Sequence, residues 1–399
     1  MINNKDTIKK INELVNKNLG FVFDSYKHIH KNPELGWDVK QTCAYVCKYL
    51  KENNISYKIL NKTGVVALIK GKKPGKCILL RGDMDALPIT EQTDVSYKSL
   101  IPGKMHACGH DAHTSNLLGC ALIINQMKEY LNGSVKFMFQ PNEEGEGGAK
   151  KMIDLGALKN PKVDAALAIH CGDGDVNYKE GNVVIKDGAP WASLIDFIVT
   201  FVGKSGHISN PKAAIDPNYP ASELVVQINE LSKRTIKSNN PSILGVASII
   251  SSTNSTNIIP DKVVVKGCIR SIDQKLTNKL KIETKKLIDN ISKKFKIKTI
   301  VDFDYFAPTC VNDKKLFNLV KNSSIEILGK QKVQEMKKQT MGAEDFAYIS
   351  QCVPSCNYNV QLDKDSHWHN SKMKINPNIY FPTALKSMIM SVFNYLNNN

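Results

Sequence analysis

Hydrophobic and polar positions divide the chain into stretches of different period. Ile8, Ile11, Leu14, Val15 and Leu19 recur at helical spacing among charges, and a second helical stretch runs from about residue 40 to 53. From Gly64 the period changes. VVALIKG (65–71) and CILLRGDMDAL (77–87) are short aliphatic runs bounded by Gly and Pro, which predicts strands. Residues 134–140 and 163–170 read the same way, with an amphipathic helix over 114–131 and another helix over about 148–158 between them. Strands alternating with helices predict an α/β unit, a mixed and mostly parallel sheet with helices on both faces.

Near residues 181–191 the pattern changes again. Strand 194–202, helix 220–233, strands 242–250 and 262–269, helix 276–295 and strand 298–303 follow in the order βαββαβ, the ferredoxin-like split unit. Only one histidine, His207, falls in it. The first style then returns, with a helix over 314–328, a strand near 358–362 and a last helix over about 377–396. The expected organisation is therefore a first part of a metal-binding catalytic domain (1–187), an inserted domain (188–304) and the second part of the first domain (305–399). A chain of 399 residues is long enough for two cores. No internal repeat or low-complexity linker is visible.

Composition changes this picture little. The formal charge is +16, yet only Arg81, Arg234 and Arg270 are arginines, and the lysines are spread along the whole chain. A diffuse lysine bias is not the stripe that nucleic acid requires, so no nucleic-acid partner is expected. No stretch reaches the roughly 18 apolar residues of a membrane span, and the first residues carry no apolar export region. Ten cysteines without secretory spacing point to reduced thiols. The expectation is a soluble, cytoplasmic protein.

The informative residues sit where the strands end. CILL runs into Arg81, Asp83 and Asp85; VKFMF into Gln140, Glu143 and Glu144; AALAI into His170 and Cys171. In open α/β sheets ligands bind beyond the carboxyl ends of the strands. Met105–His113, which holds three of the nine histidines, and Ser366–Asn370, with two more, can join them there. Cys108, His110, Glu143, Glu144, His170 and His369 form a donor set that suits zinc, with manganese or cobalt acceptable. It exceeds the needs of one catalytic ion, so two divalent ions are expected. Consecutive side chains of an extended segment point apart, so Glu144 is assigned to metal and Glu143 to the proton as general base. Three other readings stand beside this one: Glu143–Glu146 as a solvated acidic loop, Cys108 as a nucleophile, or a closed structural zinc site. His28 and His30 are read as structural residues at the domain surface.

RGDMDALP, MHACGHDAHT, QPNEEGEGGAKKMI, GKSGHIS followed by DP, NIIPD, MGAEDF and HWHN resemble the dinuclear-metal amidohydrolases that include hippurate hydrolase, bacterial aminoacylases, N-acetyldiaminopimelate deacetylase and the plant indole-acetyl-amino-acid hydrolases. The resemblance implies a zinc-exopeptidase-like fold with an inserted dimerisation or lid domain. It implies Cys108, His110, Glu144, His170 and His369 as ligands of two divalent ions and Glu143 as base. Asp85 falls where the wider family has an aspartate that orients a ligand, and Asp83 where related peptidases have a histidine. His207 resembles a histidine that reaches a partner subunit's site to support the oxyanion. Arg270 and Asn257 are expected to bind substrate, Arg270 as a fork for its α-carboxylate. The implied activity is hydrolysis of N-acyl amino acids by a homodimer, with a carboxypeptidase or dipeptidase as the alternative. Asn142 and Cys171 depart from the pattern, the first replacing Ala and the second Asn or a small apolar residue.

Overall fold

A computed structural model describes residues 4–145, 147–237 and 240–397. The chain forms two compact units. The first comprises Met1–Pro190, Val311–Lys338 and Asp345–Asn399, and the second Trp191–Cys310 with Gln339–Glu344.

The first unit is built on an eight-stranded sheet. From edge to edge the strands are Ser56–Leu60, Gly64–Lys70, Asn132–Gln140, Lys73–Asp83, Ala165–Cys171, Ser355–Val360, Val183–Ile185 and Val333–Glu335. The four central strands, from Asn132–Gln140 to Ser355–Val360, run parallel, and antiparallel pairs flank them. Every position of Ala165–Cys171 is buried, as are all from Cys77 to Asp83, so both faces of the central sheet are covered. Parallel central strands put Asp83, Gln140 and His170 at one edge, with Asp83 in register opposite Gln140. The short strands Ser56–Leu60, Val183–Ile185 and Val333–Glu335 are too brief for a periodic signal and add only to the margins.

Two helices differ from their expected form. The first runs from Asn4 to Lys31 without a break, which carries His28 and His30 into its last turn. His30 is buried and not at the surface. The helix expected over 114–131 spans His110–Gln126 and is not amphipathic. All but three of its 17 residues are buried, because the Lys73–Asp83 strand packs on it along with the first helix and the last, Pro377–Asn397. A helix enclosed on all sides has no polar face to display.

The second unit is an antiparallel sheet in the order Ser242–Ser251, Lys262–Ser271, Ser193–Val202, Lys298–Ala307, with helices Asn218–Thr235 and Gln274–Phe295. This is the ferredoxin-like βαββαβ arrangement. Phe197, Val199 and Phe201 alternate inward against Leu224, Ile228, Leu280 and Ile288, giving the unit its own core. Among the described residues no helix is long and apolar enough to cross a membrane.

Candidate metal centre

The carboxyl ends of three parallel strands and the start of one helix supply the centre. Gly109 precedes the helix with φ +80°, and a Cβ there would stand 2.4 Å from Cys171 Sγ. Only glycine turns the chain so sharply against that thiol. The turn leaves Cys108 on one side and His110 in the first helical residue on the other.

Three of the candidate donor groups join the expected residues: Cys108, His110 and His170; Cys108, Glu144 and His369; and His110, Glu143 and Glu144, each with its ligand atoms within 4.8 Å of one another, while Asp83 with His110 and His113, and His113 with His170 and Cys171, lie as close together. Cys108 Sγ is 3.6 Å from His170 Nε2. His369 Nε2 is 3.3 Å from Glu144 Oε1. The His110 ring stands 3.5–3.9 Å from carboxylate oxygens of Asp83, Asp85, Glu143 and Glu144. All these groups but His369 and Glu144 are fully buried. The structure thus brings together the six residues singled out by chemistry. The acidic run is no solvated loop, although its last residue, Glu146, lies outside the described residues.

These donors fit a divalent cation. Both ring nitrogens of His110 and one carboxylate oxygen of Glu144 are buried without a hydrogen bond, a cost that a cation removes. Burial opposes charge on His110, yet Asp83, Asp85 and Glu144 around it push its pKa up to about 10. The cluster therefore draws positive charge. His170 is held in the neutral form by burial, and its Nδ1 lies 2.7 Å from the Cys171 carbonyl oxygen. A carbonyl only accepts, so Nδ1 carries the hydrogen and the Nε2 lone pair faces Cys108.

Neighbours fix the donors. The Asp85 carboxylate accepts the backbone N–H groups of Glu143 (2.9 Å) and Glu144 (3.1 Å) while facing His110. Asp83 does not stand free: Arg81 donates to it, His113 Nδ1 lies 2.6 Å from its other oxygen, and Arg81, His110 and His113 overcome the effect of burial to keep its carboxyl well below the usual range. His113 Nε2 accepts from the Cys171 N–H, which uses its lone pair. His106 is buried with neither ring nitrogen bonded, and burial pulls its pKa down to about 4.

Sequence reasoning missed one anchor. Asp345, in the MGAEDF segment, accepts from Arg81, from Gln140 and from the Ala149 N–H, and its own N–H donates to Glu143 Oε1 at 3.3 Å. The available signal was a charged RGD triplet closing the apolar run CILL.

His207, Asn257 and Arg270 lie in the second unit. His207 is exposed on a two-residue strand paired with Ile258–Ile259, and its Nδ1 lies 2.7 Å from Ser209 Oγ. The Asn257 carbonyl accepts from Ile208 N–H, so His207 and Asn257 are neighbours. Arg270 is half-buried on the Lys262–Ser271 strand and donates to the Met341 carbonyl.

A metal-dependent hydrolase of amide bonds is the class that this edge of the sheet defines. Residues 79–384 match Peptidase family M20/M25/M40, and the chain belongs to that family. It is 34% identical over 351 residues to the N-acetyl-L-cysteine deacetylase of Bacillus subtilis, covering 88% of this chain and 82% of the relative. It is 31% identical to thermostable carboxypeptidase 1 of Saccharolobus solfataricus, over 97% of this chain and 98% of that one. Among solved structures, a Bacillus subtilis protein described as a dinuclear metal-binding peptidase superposes with a TM-score of 0.81 at 26% identity, covering 96% of this chain and 100% of the other.

Proposed function

We propose that the protein hydrolyses the amide bond of N-acyl amino acids, hippurate-like or N-acetylated, to a carboxylate and a free amino acid. The observation that carries this reading is Glu143: a buried carboxylate beside the donor cluster, its Oε1 held by the Asp345 N–H and its neighbour Glu144 turned toward His369. Similarity to an N-acetyl-L-cysteine deacetylase supports the substrate class.

Cys108, His110, Glu144, His170 and His369 are assigned as the residues that hold two divalent ions, which when bound supply Lewis acidity toward the acyl oxygen and a more acidic water. Zinc suits the thiol and imidazole donors, with manganese or cobalt as substitutes. Glu143 takes a proton from the water as its oxygen bonds to the acyl carbon. It returns that proton to the amide nitrogen as the C–N bond breaks, so acid and amine leave in balance. Asp85 orients both glutamates. His207 is assigned to the developing oxyanion, and Arg270 with Asn257 to the substrate's α-carboxylate. The assembly assigned is a homodimer formed through residues 188–304, with His207 serving the partner's site. Ten free cysteines support a reducing, cytoplasmic location.

Likeness to a carboxypeptidase over nearly the whole chain favours one second reading, cleavage of a C-terminal residue from short peptides. A panel of hippurate, N-acetyl amino acids, N-acetyldiaminopimelate and dipeptides, assayed with added zinc or manganese, separates the two. The expected result is a kcat/KM for acyl amino acids at least tenfold above that for dipeptides. The reverse order overturns the first reading in favour of the second, and no turnover of any member overturns both.

A further inference from the structure

Cys171 departs from the family pattern, and Trp368 has no role in the chemistry assigned above, yet the two meet at the centre. The Cys171 carbonyl faces two N–H donors, His170 Nδ1 at 2.7 Å and Trp368 Nε1 at 2.8 Å. The indole also lies edge-on to the His170 ring, with centroids 5.0 Å apart and planes at 81°. Its apolar body packs half-buried on the core of the first unit. The rest of Cys171 is committed as well: its N–H donates to His113 and its thiol to the Cys108 carbonyl.

The residue after Trp368 is His369. Its φ is +56°, a left-handed conformation that is unfavourable in a residue with a Cβ and persists only when its surroundings hold it. Its N–H donates to the Ala107 carbonyl at 2.8 Å, one residue before Cys108. Residues 368 and 369 are thus tied at two points, one on the strand end that bears His170 and one on the segment that bears Cys108. His369 itself is half exposed, with a side-chain exposure of 55%, so packing around its ring does little to orient it.

We propose that Trp368 is a positioning residue that sets both imidazoles of the centre drawn from distant parts of the chain. Its indole N–H holds the carbonyl that receives the His170 proton, and its ring lies against the imidazole, which together fix the plane of that ring. Through the chain it holds His369 in the strained conformation that turns its ring toward Glu144. Filling the core needs only an aromatic body, which Phe supplies. The hydrogen bond requires the indole.

This inference rests on His170 and His369 being metal ligands, and the experiment separates the two ideas. Zinc-loaded enzyme is titrated with a chromophoric chelator, and stoichiometry and affinity are read for the native chain, W368F, W368L and H170N. The melting temperatures of the metal-stripped chains are measured beside them. In W368F, we expect both ions to loosen, each by about 10- to 100-fold, as for other groups that orient metal ligands, because His170 and His369 fall in different donor groups, with the metal-stripped Tm unchanged. W368L should loosen the same two ions at least as much. Native binding of both ions by H170N overturns the ligand assignment. If H170N loses an ion while W368F binds both with native affinity, the positioning role is overturned and the ligand assignment stands. Weakened binding in W368F together with a lowered metal-stripped Tm also overturns it, since that marks general loss of structure.

Discussion

Glu143 and Glu144 follow the strand end in a bend, not in the extended stretch expected to send their side chains apart, and both carboxylates come 3.8–3.9 Å from His110, so their other partners are what distinguish them. Glu144 meets His369, whereas Glu143 receives the Asp345 N–H. A Gln at position 143 keeps an oxygen to accept that N–H but cannot take a proton. Glu143→Gln is expected to retain its metal ions and lose about 10²- to 10⁴-fold in kcat, as checked by metal analysis beside steady-state kinetics. Near-native turnover would remove Glu143 from the proton's path. The same logic sorts the histidines. His110 keeps unbonded nitrogens amid carboxylates, whereas His113, three residues on, has both nitrogens engaged by Asp83 and Cys171. Residue type alone did not separate them.

The helix His110–Gln126 is held at its start by a second element. His30, from the last turn of the first helix, lies between Asp111 (2.6 Å) and Glu91 (3.2 Å), with Tyr26 and Tyr97 against its ring and His106 nearby. Burial opposes its charge, but the hydrogen bonds it donates to the Asp111 and Glu91 carboxylates raise its pKa to about 9. A raised histidine pKa stabilises the fold fully below its unfolded value of about 6.5, and the contribution fades as pH climbs through about 9. Glu91, brought to about 2 against its burial chiefly by His30, gives stability that is present above about 4.5 and lost as pH falls toward 2. His30→Gln takes the cation from buried Asp111 and half-buried Glu91, which keep only their backbone and hydroxyl donors, and is expected to cost roughly 3 kcal/mol near pH 6. Denaturant unfolding of both proteins from about pH 6 to 10 should show the gap narrowing. A gap that stays constant over that range would show that His30 is not charged in the fold.

At the scale of the molecule the +16 charge comes from lysines spread throughout, and the chemistry sits in one buried acidic cluster of the first unit. His207, Asn257 and Arg270 belong to the other unit, each with partners of its own there. On the proposed dimer His207 acts across the interface, so chains defective at different points should complement each other. Mixing Glu143→Gln with His207→Ala is expected to restore activity, because one site of each heterodimer then has an intact Glu143 and an intact His207 from its partner. Activity no higher than the average of the two parents would place His207 in its own chain's site.

Period and composition were enough for the two-unit plan, because strands of a covered parallel sheet must be apolar and alternate with helices. They were enough to single out side chains that the fold does cluster, since thiol, imidazole and carboxylate closing apolar strands have few other uses. The enclosure of the His110–Gln126 helix was not legible, because the layers that cover it come from both ends of the chain. Nor were the roles of Asp345, Arg81 and Trp368. Each acts through a hydrogen bond to a residue far away in sequence, and which distant groups meet is decided only when the sheet closes and the helices pack upon it.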